Sequence, residues 1–393
     1  MATNSIETVD IFQKVLDEQM VRELTSIRME RNASMIKYDG GKTVKIPSIT
    51  MDGLGDYSTS TGFPEGDVTL SYESHTLEYD RGRGFSLDAL EVDESGFMAT
   101  AGNVMGQFQR TKVVPEIDAA RYSRIWGKAN TDLRTEAYTP DAATILTKIS
   151  DAIEDMQDVV GGTEALTIYI GLAAYKALKA STGIDKRFDV TDFTRGDVKL
   201  KVKTLDEIPL ISVPSVRFKT VYTFGDDGFA VTAVSMAMNF MLVADRALLA
   251  INKLEKTRVF DPTTNQDADA WKMQYRRHHD LLIPNNKLEG VFISYTAIDA
   301  PELAGTFAKG TGTGNTKFTL ETSLATGETM FYKLGAAAST VKYNDVPSGF
   351  TTYVSGADIV AEATQYLAVI KVVDGHVTEL ADSILTGLIS TGA

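Results

Sequence analysis

Three sets of residues have the types and spacing to do chemistry. His278 and His279 are adjacent and follow Arg276 and Arg277. A metal site needs several converging ligands, and neighbours in a strand point to opposite faces, so the pair reads as structural. GTGTG at Gly310–Gly314 has the glycine density of a phosphate loop. It lacks the lysine of GxxxxGK[ST] and the strand-to-helix frame, and reads as a turn. Serine and histidine occur without a nucleophile elbow, and spacing alone cannot show two carboxylates facing each other. These patterns assign no catalytic residue, no cofactor and no metal.

The third set is denser: Asp80, Arg81, Arg83, Asp88, Glu91, Asp93 and Glu94. An arginine can grip a carboxylate with two parallel hydrogen bonds, which fixes orientation as well as attraction. The run lies between a hairpin and a helix, where a large assembly needs contacts between subunits. A solvated surface is the ordinary reading of such a run; in an assembly of many copies Arg81, Arg83, Asp88 and Glu91 are expected to meet a neighbouring copy.

The elements that must position this run are legible as patterns. Residues 5–28 carry Ile6, Val9, Phe12, Leu16, Met20 and Leu24 at near-helical spacing, an amphipathic helix with no evident partner on its own chain. Residues 29–41 read as an extended arm. Lys42–Thr50 and Asp67–Asp80 alternate as two strands around a polar tip at 51–66. An isolated hairpin is marginal in water, so this one is expected to dock on another subunit. Glu94–Gln109 reads as a helix with a stripe of Phe97, Ala101, Val104 and Phe108, flanked by Met98 and Met105. Pro115 should interrupt it, with a shorter helix at 116–128. Thr139-Pro140-Asp141 signals a helix running to Val160. A strand at 165–170, a helix at 172–180 and strand-like sequence over 199–233 follow. Residues 236–252 fit either type, and 271–294 read as two strands around Pro284-Asn285-Asn286. Beyond a linker at 297–301, short strands and glycine turns suggest a β-sandwich of immunoglobulin type.

Composition narrows the class. The 393 residues suffice for more than one core, and 43% hydrophobic with 23% charged content is ordinary for a folded chain. No cysteine is present, which removes disulfides and thiolate chemistry. No window is apolar enough to span a bilayer and the start has no signal-peptide pattern, so folding in a cytoplasm is expected, without a membrane partner. A net charge of −14 argues against tight nucleic-acid binding and is equally compatible with a role in solubility.

The segment DRGRGFSLDALEVDESGFMATAGNVMGQFQRTKVVPEIDA, Asp80–Ala119, resembles the junction of extended loop and spine helix in HK97-fold major capsid proteins of siphophage-like tailed bacteriophages with Firmicutes-type hosts. The order of elements over about 300 residues is similar to that family. The resemblance implies an α+β fold with an N-terminal helix and arm at 1–41 and an extended loop at 42–90. It implies a peripheral domain at 91–135 and 250–299, an axial domain at 136–249 and a decoration domain at 300–393. It implies that 206–228 holds a loop meeting its equivalents at the centre of each capsomer, with Asp206, Glu207, Asp226 and Asp227 in contact with other subunits. Expected partners are further copies in hexamers and pentamers, portal, scaffold and decoration proteins, and double-stranded DNA enclosed in an icosahedral or prolate head but not tightly bound. The location implied is the virion capsid, assembled in the host bacterial cytoplasm. Some members cross-link a loop lysine to a neighbour's asparagine; the tip at 51–66 has no lysine, so no cross-link is expected. Two alternatives are an encapsulin-like nanocompartment shell and a surface or adhesion protein built around the C-terminal β domain.

Overall fold

The computed structural model describes residues 23–30, 37–38, 42–57, 59, 62–90, 101–161, 165–182, 188–195 and 198–391. The expected N-terminal helix up to residue 22, most of the arm, and Glu91, Asp93, Glu94, Phe97 and Met98 lie outside the described residues. The chain divides into two compact units: Met1–Glu136 with Pro140–Tyr295, and Ala137–Thr139 with Thr296–Ala393. The architecture is mixed α+β, with several sheets and few helices.

Unit one runs β1 (Lys37–Tyr38), β2 (Thr43–Met51), β3 (Val68–Thr76), β4 (Tyr79–Asp88), α1 (Ala101–Phe108), α2 (Val114–Thr131) and β5 (Thr135–Ala137). It continues α3 (Ile145–Val160), β6 (Leu166–Gly171), α4 (Leu172–Ala180), β7 (Phe188–Arg195), β8 (Val198–Leu205) and β9 (Ile208–Val213). The hairpin β10 (Tyr222–Gly225) and β11 (Gly228–Val231) precedes β12 (Ala237–Ala244), β13 (Leu249–Phe260), β14 (Ala270–Leu282) and β15 (Val291–Thr296).

A seven-stranded sheet in the order β5-β15-β12-β6-β9-β8-β7 forms one core. All six residues of β6 are buried. β6 and β9 pair in parallel, which requires a crossover, and α4 supplies it. The ambiguous stretch at 236–252 resolves into β12 and the start of β13. β12 is buried over all but its first residue, so it shows no alternation to read.

Pro115 does not break the helix as expected. Gln109–Val113 form a π-helical turn, in which the Val114 N–H bonds to the Gln109 carbonyl five residues back. The wider turn leaves Pro115 in the first turn of α2, where its missing N–H costs nothing. The expected strand at 67–80 is also two strands: β3 pairs with β2, and after Leu77 and Glu78 the chain enters a separate sheet of order β13-β14-β4. Near the N-terminus, Leu24 and Ile27 do have a partner on their own chain, packing against Val114 and Ile117 of α2.

Unit two holds β16 (Gly305–Lys309), β17 (Asn315–Leu320), β18 (Glu328–Gly335), β19 (Thr351–Tyr353), β20 (Ile359–Val360), β21 (Tyr366–Val373) and β22 (His376–Ile384). They form two sheets, β16-β17-β20 and β19-β18-β21-β22. Phe318, Met330, Tyr353, Ile359, Leu367 and Val369 from both sheets share one core. The Tyr353 hydroxyl accepts the Phe318 N–H (2.9 Å) and donates to the Phe318 carbonyl (2.8 Å), joining the sheets at their centre. The stretch read as a linker is stitched into this unit: the Tyr343 N–H bonds to the Ile298 carbonyl and the Leu380 N–H to the Pro301 carbonyl.

Candidate functional site

The β2–β3 hairpin carries two apolar surfaces on opposite faces. Near its root, Val44 and Ile46 point to one face and are buried with Leu77, Leu249, Ile251 and Leu282. One residue later the parity changes. Pro47, Ile49 and Met51 pair across the ribbon with Tyr72, Leu70 and Val68, and alternation puts all six on the other face. That face is open: Ile49 is 59% exposed, Met51 71%, Val68 69%, Leu70 53% and Tyr72 49%. Leu54 and Phe63 extend the exposure into the tip, where Tyr57 and Phe63 meet edge to face at 5.0 Å. The tip is closed by the Asp67 N–H donating to the Asp52 carboxylate (2.8 Å). Contiguous open apolar surface of this kind marks an interaction site.

The hairpin root stands on the β13-β14-β4 sheet, whose two faces also differ. α1 covers one, burying Met105 against Met273 and Tyr275, with Phe85, Leu87, Val104 and Phe108 packed around them. Met105, read from the sequence as a flank of the stripe, is its centre. Burial among these groups, with Glu255 close by, pushes the Tyr275 phenol far above its ordinary range. On the other face Leu254, Lys256, Arg258 and Arg276 are exposed. Here β4 contributes Gly82, opposite Arg276, and Gly84, opposite Gln274. A Cβ at Gly82 would lie 2.8 Å from the Tyr275 carbonyl, so the close pairing of β4 with β14 requires glycine there. Arg276 is held by two hydrogen bonds to Asp80 (2.9 and 2.7 Å), which lower the Asp80 pKa.

Arg81 and Arg83 point the other way and grip their own chain. Arg81 Nε donates to Glu116 of α2 (2.7 Å), and Nη2 donates to the carbonyls of Gly225 (2.8 Å) and Gly228 (3.4 Å). Arg83 Nη1 donates to the Asp226 carbonyl (3.0 Å). Tyr79 packs edge to face on Phe224 at 5.1 Å, and burial followed by the nearby Asp280 charge pushes its phenol up to about 12. The β10–β11 hairpin is thereby fastened to β4 and α2, with a cavity of about 530 Å³ beside it lined by Arg83, Phe108, Lys112, Glu116, Tyr275 and His279.

The remaining expected contact residues fall in separate places. Asp88 is exposed and accepts the Leu90 N–H at 2.9 Å. Asp206 and Glu207 form the two-residue turn between β8 and β9, both with positive φ (49° and 68°), as hairpin turns of this type demand. Asp226 and Asp227 occupy the exposed turn of β10–β11. Sequence reasoning missed Glu116 as the carboxylate for Arg81, because 35 residues separate them. It also missed the parity change at Pro47, which becomes visible only in the register of β2 against β3.

A buried polar network fixes α2 from behind. The Asp118 carboxylate accepts the N–H and hydroxyl groups of both Thr25 and Ser26 (2.7–3.2 Å), and Arg217 lies 3.2 Å from it. Arg121 donates to Glu30 at 2.5 Å. Both Asp118 and Arg121 are almost fully buried, so removing either would leave buried donors or acceptors without their partner. Among the described residues no group of His, Asp and Glu is arranged to hold a metal.

Residues 308–383 match the family model described as the S-layer protein SbsC C-terminal domain. Among solved structures the chain is similar to the mature capsid of bacteriophage PhiM1, at 11% identity, over 66% of this chain and 83% of that one, with a TM-score of 0.45. It is similar to a virus-like particle from Pyrococcus furiosus at 9% identity, over 73% and 99% of the two chains, with a TM-score of 0.44. It is similar to domains 7, 8 and 9 of SbsC at 18% identity, over 28% and 37%, with a TM-score of 0.22. No curated protein matches the sequence.

Proposed function

We propose that the chain is the subunit of a self-assembling shell, a major capsid protein of HK97 type whose copies form hexamers and pentamers around double-stranded DNA. The observation that supports this best is the hairpin whose root is written for its own core and whose outer half is written for another surface. A monomer gains nothing from an open face of Pro47, Ile49, Met51, Val68, Leu70 and Tyr72. A neighbouring subunit that covers it supplies the missing half of a core.

The uncovered face of β13-β14-β4 fits as the mating surface. It is flat at Gly82 and Gly84 and carries Lys256, Arg258 and Arg276. The hairpin tip at 51–67 carries Asp52, Asp56, Glu65 and Asp67 and no Lys or Arg, so the two are complementary in charge. Asp206, Glu207, Asp226 and Asp227 stand on two rigid turns and serve as further contacts between subunits, together with Asp88 and Glu91. Arg81 and Arg83 contribute by holding the second of those turns in place. Portal, scaffold and decoration proteins complete the set of partners.

In unit two, the strand order β16-β17-β20 with β19-β18-β21-β22 supports an immunoglobulin-like sandwich of the fibronectin type III kind. With the match at 308–383 to a domain named for a surface-layer protein, it supports an outward decoration. Electron microscopy and light scattering of the purified chain test the main reading. Closed particles or rings of five and six subunits are expected; a chain that stays monomeric at high concentration, alone and with its scaffold, would overturn it.

A further inference from the structure

We propose that the corner where α4 meets β8 binds the phosphate backbone of nucleic acid, weakly and without sequence preference. The chain as a whole carries a net charge of −14, yet residues 176–203 hold eight Lys and Arg against four Asp. Two of these lysines converge on Tyr175, and a third flanks it in the sequence. Lys203 Nζ donates to the Tyr175 hydroxyl at 2.7 Å and lies 5.4 Å from the ring centre. Lys179 Nζ sits 4.4 Å from the same ring centre, and Lys176 is the next residue along α4. All three lysines are exposed, and among the described residues none of them is in a salt bridge. In the sequence of β8, Lys199 and Lys201 precede Lys203 at alternate positions.

Two ammonium groups held on one phenol ring repel each other, and nothing in the described chain neutralises them. A polyanion relieves that repulsion and, on binding, releases its own counterions. The composition favours nucleic acid over an acidic protein. Lysine is depleted at the centres of protein interfaces, where aromatic and arginine anchors dominate. The cations around Tyr175 are lysines, and its ring is already covered by an ammonium group. Point charges without an apolar anchor suit phosphates, which position a duplex without reading its bases. This binding belongs to the soluble subunit, so it stands or falls independently of shell assembly.

The test uses the purified full-length chain and a short labelled DNA duplex, with anisotropy followed against salt. Contacts to three phosphates give a log–log salt slope of about −2.7, so affinity should fall about 40-fold between 50 and 200 mM salt. Lys176→Ala/Lys179→Ala/Lys203→Ala should flatten that slope, and the triple Lys→Arg variant should keep it. Absence of binding at 50 mM salt, or an unchanged slope in the triple alanine variant, would overturn the proposal. Tighter binding of polyglutamate than of the duplex would also overturn it, in favour of an acidic protein partner.

Discussion

The parity change in β2 makes two residues three positions apart respond in opposite ways. Ile46 is buried in the hairpin root, and Ile49 is 59% exposed on the opposite face. Full burial of an Ile or Leu side chain is worth about 1.5–3 kcal/mol. With Ile49 59% and Leu70 53% exposed, a covering neighbour can still gain roughly half of that from each, about 2–3 kcal/mol for the pair. Ile49→Asp/Leu70→Asp removes this gain and puts two carboxylates into a dry contact, at about 1–3 kcal/mol each when unpaired. The total of about 4 kcal/mol or more is roughly a 1000-fold loss of affinity per contact. The monomer, where these side chains face water, should change by no more than about 1 kcal/mol. Ile46→Ala should do the reverse, costing the subunit about 2–4 kcal/mol by leaving a cavity against Leu249 and Leu282. Sedimentation and light scattering read assembly, and denaturant unfolding of the unassembled subunit reads stability. If the double aspartate variant assembles at the concentration of the parent, the outer face is not an interface. If instead its subunit unfolds far more easily, the face is already in use within the chain.

Three further perturbations separate internal fastening from assembly. Arg81→Ala should cost the subunit about 1–2 kcal/mol, after allowance for partial exposure, by releasing Glu116 and the β10–β11 turn; unfolding unchanged against denaturant would contradict this. His279 is buried, and burial followed by the Arg277 charge holds its pKa well below the usual value. Below about pH 6.5 the unfolded chain then binds a proton that the folded chain refuses, so stability should fall with acidification by up to about 1.4 kcal/mol per pH unit. His279→Phe should remove that slope, measured by denaturant unfolding between pH 7.5 and 5. In unit two, the Asp358 carboxylate accepts the Thr311 N–H (3.0 Å), the Thr311 hydroxyl, the Gly312 N–H (3.1 Å) and the Asn315 amide (3.1 Å). The Thr311 hydroxyl first, then these N–H donors, hold its pKa below the ordinary carboxylate range. Its contribution is complete above the unfolded value near pH 4 and fades as pH falls toward the folded one. Asp358→Asn should therefore lower the melting of unit two at pH 7 and narrow its loss at pH 3; equal melting at pH 7 would refute the role.

How much of this was legible in the sequence depended on the range of the interactions involved. Strands with alternating residues, such as β2, and the helices from Gly102 to Lys128 showed their periodicity directly. Elements buried on both faces, such as β12, showed none. The break expected at Pro115 followed from a local rule. What overrode it was a π turn, a rearrangement of hydrogen bonds that leaves no mark on composition. GTGTG at Gly310–Gly314 was read correctly as a turn, but part of its reason lies in Asp358, 47 residues from Thr311. A Cβ at Gly310 would come within 2.8 Å of Asp358 and one at Gly312 within 2.6 Å of Asn315, so the loop must be glycine to wrap those groups. The charged run at 80–88 was found as a feature, while its partners were not. Glu116, Gly225, Asp226 and Gly228 are distant in sequence, and three of the four acceptors are backbone carbonyls with no residue signature.

In the proposed assembly, the direction in which Arg81 and Arg83 point changes how contacts can form. Had they been free, each would have had to order its side chain when a neighbour arrived, at a cost of up to about 2 kcal/mol per long side chain. Instead they spend their hydrogen bonds inside the subunit, on Glu116 and on the carbonyls of the β10–β11 turn. That turn is held before any partner binds, and so are its exposed Asp226 and Asp227. The apolar hairpin face is likewise set by a root packed into its own core. A shell repeats each contact many times, so an ordering cost removed once in the subunit is removed at every copy. On this argument the charged run at the base of the hairpin is an internal lock that makes the neighbouring surfaces ready to bind. Arg83→Ala should then slow assembly more than it weakens a finished particle, because it loosens the turn at Asp226 in the subunit but leaves the covered apolar face intact. Light-scattering kinetics against particle melting would show the difference. Equal losses in both would mean that Arg83 itself contacts a neighbour.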